Sequence, residues 1–179
     1  LDEVLACTPH EVADTSIGRH TLQMIGYFME KTEGKLPISL TDTQSPLNMA
    51  GHLLPLDQFF MSFLTEPEKV LNLFDILANL SLSFNREQVK MTGNALACPG
   101  HGFASSTCWN GLGMSDDNAL MISPEQYLQL AAPSVTTICI PFGGTAFHSC
   151  GNWAPWLDAV INVPRLLMAD GAFSPDGYI

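Results

Sequence analysis

The chain has 179 residues, 46% of them hydrophobic and 14% charged, which suits a single domain over residues 1–179 with a sizeable core and excludes a mainly disordered chain. Seven Lys and Arg against eighteen Asp and Glu leave a formal charge of −11, so neither nucleic acid nor an anionic membrane surface is an expected partner. Apolar stretches are all broken well short of a membrane span, and the start LDEVLACTPHE has neither the basic nor the apolar region of an export signal, so a cytoplasmic location is expected.

Residues 15–31 carry apolar side chains at Ile17, Leu22, Ile25, Tyr27, Phe28 and Met29, an approximate helical stripe closed by Gly34 and Pro37. Residues 36–40 read as a short buried strand running into the polar turn TDTQSP, whose Ser45 is placed to cap a helix from Leu47 onward. Thr65-Glu66-Pro67-Glu68 reads as the next helix start, followed by Val70, Leu73, Phe74, Leu77 and Leu80 at helical spacing and by Gly93 as a stop. Residues 95–98 are short and apolar and end in the loop Pro99-Gly100-His101-Gly102. Ser123-Pro124-Glu125-Gln126 combines a capping box with Pro at the first helical position. Propensity alone makes residues 135–140 a strand, since they are β-branched and bracketed by Pro133 and Pro141. A strand over 145–150, a short apolar helix from Trp153 to Ile161 and a strand over 165–169 follow. Helices alternating with short strands that end in polar or Gly-rich loops predict a parallel α/β sheet.

The cysteines number five, at positions 7, 98, 108, 139 and 150, an odd and scattered set that reads as reduced thiols. Cys7 and Cys139 sit in apolar sequence and are expected to be buried and inert, whereas Cys98, Cys108 and Cys150 stand beside Gly, His or Asn. Residues two apart on a strand share a face, so His148 and Cys150 are placed to bind one ligand, an imidazole and a thiolate that suit zinc. A satisfied core histidine beside a buried cysteine is the plainer alternative. Asp116 and Asp117 after Gly113 read more readily as a solvated loop than as pocket residues.

The segments GKLPISLTDTQSPLNMA, TEPEKVLNLFDI, GHGFASS, SDDNALMISPEQYLQLAAPSV, FGGTAFHSCGNW and ADGAFSP resemble the uroporphyrinogen decarboxylase superfamily, in particular its corrinoid-dependent methyltransferase branch, from about residue 20 onward. The resemblance implies a (β/α)8 barrel, of which this chain is a middle-to-late portion. The lack of an initiator Met at Leu1 and the abrupt end at Ile179 fit that expectation. It also implies that the helix from Ser123 continues through residues 135–140. In that branch a His-x-Cys pair binds zinc with a further cysteine, so His148 and Cys150 are the implied metal ligands, and a thiol takes a methyl group from a corrinoid, which is either substrate or carried by a partner protein.

The decarboxylase branch implies instead an Asp on an early strand-end loop, for which Asp42 is the nearest candidate, and arginines for substrate carboxylates. The chain has only Arg19, Arg86 and Arg165. Asp42 and His101 are thus candidate catalytic residues, and Asp117 and Asn152 candidate cofactor-binding residues. A non-catalytic binding relative and a homo-oligomer remain open.

Overall fold

A computed structural model describes residues 1–42, 44–97 and 111–171. Its first half is helical: α1 (Asp2–Leu5), α2 (Ser16–Lys31), α3 (Pro46–Leu53), α4 (Leu56–Thr65) and α5 (Pro67–Thr92). Ser45 caps α3 by accepting the amide of Asn48, as the sequence suggested, and Thr15 caps α2 by accepting the Gly18 amide. Thr65 differs from expectation. It closes α4, its hydroxyl donating to the Met61 carbonyl, and α5 starts at Pro67 without a side-chain cap. Gly93 ends α5 at φ 50°.

The amphipathic face of α5 holds the two apolar clusters together. Val70, Leu73, Phe74 and Leu77 pack in one cluster with Phe59 and Phe63 of α4, and Ala78 belongs to the other with Leu112, Met114, Val135, Ile138 and Cys139. The rings of Phe59, Phe63 and Phe74 meet edge to face at centroid distances of 5.3, 6.0 and 6.2 Å, the geometry that aligns ring edges with ring faces.

The second half supplies three strands, β1 (Leu112–Ser115), β2 (Thr145–Ser149) and β3 (Leu166–Gly171), in the order β1-β2-β3 with both pairings parallel. The architecture is therefore mixed α/β, mostly helical, around a small parallel sheet. The β1-to-β2 crossover is a helical run through α6 (Pro124–Gln126), a π turn (Tyr127–Ala131) and α7 (Ala132–Cys139), opened by the reciprocal Ser123–Gln126 capping box. Pro133 accounts for the π turn: it has no amide to donate to residue 129 and its ring crowds that carbonyl, and widening the turn relieves both. Residues 135–140 are thus helical, because the crossover buries Val135 and Ile138 against β1 and tertiary packing overrides β propensity. The short helix after Trp153 is a 3-10 turn followed by α8 (Leu157–Val160).

Strand β1 was not legible in the sequence, and two expected strands shrink. Residues 36–40 and 95–97 contribute one parallel bridge, Ile38 to Leu96, with Pro37 removing a ladder donor and a 3-10 turn running up to Leu96. Cys98 lies outside the described residues. A second parallel bridge joins Gln44 to Ser115.

Leu112, Met114 and Phe147 pack against the helices, so alternation puts Gly113, Ser115, Ala146 and His148 on the opposite face. Between β2 and β3 the register shifts: Thr145 pairs with Leu166 but Ala146 pairs with Met168, leaving Leu167 as an extra residue. Gly144 makes the room for this bulge. Its φ is 151°, and a Cβ there would lie 2.6 Å from the Arg165 carbonyl oxygen and 2.7 Å from the Leu167 side chain. Gly144→Ala is therefore expected to lower stability by more than the roughly 1–3 kcal/mol of backbone strain alone, read as a reduced urea midpoint at unchanged helix content.

Candidate metal centre

Parallel strands deliver their carboxyl ends to one edge of a sheet, and three such ends meet here. β1 runs out through Ser115 into Asp116 and Asp117, β2 ends at His148 and Ser149 with Cys150 just beyond, and β3 brings Asp170 into register with His148. One ligand atom each from Asp117, His148 and Cys150 lies within 4.8 Å of the other two. His148 Nε2 is 3.3 Å from Cys150 Sγ, and His148 Nδ1 is 2.8 Å from Asp170 Oδ2. The His148–Cys150 pair expected from their spacing is therefore formed, with both groups turned to one point.

Each carboxylate has a distinct task. Asp117 Oδ1 accepts the Cys150 backbone amide at 2.6 Å and Oδ2 accepts the Ser115 hydroxyl at 2.9 Å. Partial burial acts to raise its pKa, but these bonds, the Cys150 thiol and the neighbouring His148 outweigh it and hold the carboxyl below its ordinary value. Asp170 Oδ2 stands within hydrogen-bond distance of His148 Nδ1, and the tautomer that donates Nδ1–H to it would leave the Nε2 lone pair facing Cys150, as a metal needs. Asp116, expected in a solvated loop, is 1% exposed. Its carboxylate accepts the hydroxyls of Ser45 at 2.6 Å and Tyr127 at 2.8 Å. Burial pushes it up to about 6 against the lowering effect of those two hydroxyls.

Asp170, His148 and Cys150 stand in the order of an acid, base and thiol nucleophile. The surroundings disfavour that chemistry. Desolvation and then the charges of Asp117 and Asp170 raise the Cys150 pKa, whereas an activated cysteine has its pKa lowered. The Cys150 amide, a natural donor to an oxyanion, is already bonded to Asp117. A divalent cation reverses this logic, since it neutralises the carboxylates and favours the thiolate. Nitrogen, sulfur and carboxylate oxygen are together a donor set suited to zinc, so the residues fit the metal implied by the resemblance.

The other sequence candidates fall elsewhere. Asp42 is exposed, accepts the Gln44 amide at 2.9 Å, and lines a cleft of about 360 Å³ with Val12, Met49, Leu77 and Phe84; it is not one of the three clustered ligands. His101 lies outside the described residues. The Asn152 side chain caps the following turn by accepting the Ala154 amide. Gly151 lets that loop pass Leu120, whose Cδ1 a Cβ would approach to 2.1 Å. Cys7 is exposed rather than buried, whereas Cys139 is buried and its thiol is pushed up to about 12 by desolvation. Asp170, Ser45 and Tyr127 were missed as site residues; only the position of Asp170 at a strand end offered a signal.

No protein-family model, curated protein or solved structure matches this chain. Among the described residues no helix is long and apolar enough to cross a membrane.

In protein kept in chelator, Asp117→Asn is expected to speed iodoacetamide alkylation of Cys150 near neutral pH, because it removes a negative charge that holds the proton on sulfur. Mass spectrometry resolved to the Cys150 peptide measures the rate.

Proposed function

We propose that this chain carries a zinc centre, held by Asp117, His148 and Cys150, that serves methyl transfer from a methyl-corrinoid to a thiol. The observation that carries the reading is the convergence of three ligand atoms, with Asp170 behind the imidazole, at the carboxyl ends of parallel strands. The resemblance of the FHSCGNW segment to the corrinoid-dependent branch supplies the reaction. A parallel sheet with helical crossovers is also what part of a (β/α)8 barrel contains, and barrel enzymes work at that same end.

The chain's own residues divide the work. Asp117 and Cys150, both exposed, leave the site open to an incoming thiol. Asp170 holds the proton on Nδ1 and fixes the imidazole plane. Bound zinc supplies Lewis acidity that keeps the acceptor as thiolate near neutral pH. With a methyl-corrinoid as substrate, the thiolate sulfur would form the bond to the methyl carbon as the cobalt–carbon bond breaks, both electrons of that bond would stay with the corrinoid, and the thiol proton would go to solvent.

Porphyrinogen decarboxylation needs cations at the same end to meet substrate carboxylates. Arg19 donates to the Asp14 carbonyl, and Arg165 precedes β3 at the opposite end of the sheet, donating to the Gly143 carbonyl. Arg86 lies in α5, so among the described residues the site is not lined by arginine.

The expected result is about one zinc per chain in protein purified without chelator or histidine tag. His148→Ala and Cys150→Ser abolish it, and Asp170→Asn weakens it about 10–100-fold. Methylcobalamin with 2-mercaptoethanol tests turnover through the cobalamin absorbance. Wild-type protein without zinc above background sinks the reading.

A further inference from the structure

The loop that carries Asp117 is held from both sides, and the holding residues come from elements remote in sequence. The first turn of α3 grips it through four bonds. Ser45 N donates to the Ser115 carbonyl at 2.9 Å, Ser45 Oγ donates to Asp116 Oδ1, Asn48 Nδ2 donates to the Ser115 carbonyl at 3.1 Å, and Asn48 Oδ1 accepts the Asn118 amide at 2.9 Å. On the far side Tyr127, in the π turn, gives its hydroxyl to Asp116 Oδ2. The Asp116 backbone amide in turn donates to the His148 carbonyl at 2.8 Å, which ties the loop to the strand bearing the second ligand.

A simple core role accounts poorly for this arrangement. Asp116 and Tyr127 are each 1% exposed and Ser45 is 0%, and a buried carboxylate is costly unless it is fully bonded. An apolar residue at position 116 would fill the space without that cost. What the carboxylate adds is direction: two hydroxyls on its two oxygens fix the Asp116 side chain on the inner side of the loop. Asp117, the next residue, is left to point at His148 and Cys150. The widened turn that relieves Pro133 also presents Tyr127, so the irregular helix serves the same end.

We infer that Asp116, clamped between Ser45 and Tyr127, is a positioning residue that aims the Asp117 carboxylate at the metal centre. The inference rests on the zinc reading above, and the clamp acts on metal affinity and geometry without touching the metal. Ligand orientation of this indirect kind typically changes affinity about 10–100-fold.

The test measures zinc affinity by competition with a chromophoric chelator, and site geometry by the visible spectrum of the cobalt(II) form. Tyr127→Phe and Asp116→Ala are expected to weaken zinc binding about 10–100-fold and to shift the cobalt spectrum. Asp116→Asn, which keeps an acceptor for one hydroxyl and offers the other only an N–H, is expected to fall between wild type and Asp116→Ala. If Asp116→Ala does not fold, Tyr127→Phe, which removes one hydroxyl only, decides the question. Variants with a lower denaturation midpoint but wild-type zinc affinity and cobalt spectrum overturn the clamp and leave the zinc reading intact. Failure of the wild type to bind either metal overturns both.

Discussion

The parallel pairing of β2 with a strand on each side is the constraint on which the rest depends. Parallel strands need crossovers, and the crossover from β1 to β2 is the helical run that buries Val135, Ile138 and Cys139 against Leu112 and Met114. The same pairing sends residues separated by more than fifty positions to one edge, so that Ser115–Asp117, His148–Cys150 and Asp170 become neighbours. An antiparallel β1–β2 pair would have put Asp117 and His148 at opposite ends of the sheet. Site and core are thus two faces of one topological choice.

The electrostatics of the edge follow from that crowding. Asp117 and Asp170 stand beside one imidazole and one thiol, and Asp116 is buried on the inner side of the same loop. The protein meets this concentration of negative charge by hydrogen bonds: amide and hydroxyl to Asp117, imidazole to Asp170, two hydroxyls to Asp116. The seven Lys and Arg of the chain lie elsewhere, Lys31, Lys35 and Lys69 in ion pairs with acidic neighbours. Ammonium or guanidinium groups beside such an acidic edge would cancel its attraction for a divalent cation.

How much of this was legible in the sequence depends on whether the cause was local. Ser45, Ser123 and Gly93 declared their caps and stop because capping is settled within four residues. His148 and Cys150 were readable because strand alternation needs only a period of two. Thr65 misled, since a hydroxyl before Pro67 looks the same whether it opens one helix or closes another. β1 escaped because LGMS contains Gly and a serine and draws its strand character from burial on both faces. Asp116 was unreadable for a sharper reason: its hydroxyl partners stand 71 residues before it and 11 after, and no spacing rule connects them.

The bulge at Leu167 sets a phase. Paired without the bulge from Thr145–Leu166 onward, the same β3 would set Ala169 beside His148 and carry Asp170 on to Ser149, on the face turned toward the helices. Leu167 itself is 47% exposed and contributes little to either apolar cluster. A side chain with almost no packing role therefore sits at the step of a vernier, in which one unit of register decides whether the imidazole is backed by a carboxylate or by a methyl group. The chemistry of this edge is sensitive to the register of β3 as well as to its composition: closing the bulge with Leu167 retained would draw Asp170 away from His148, whereas deleting Leu167 would leave the two side by side.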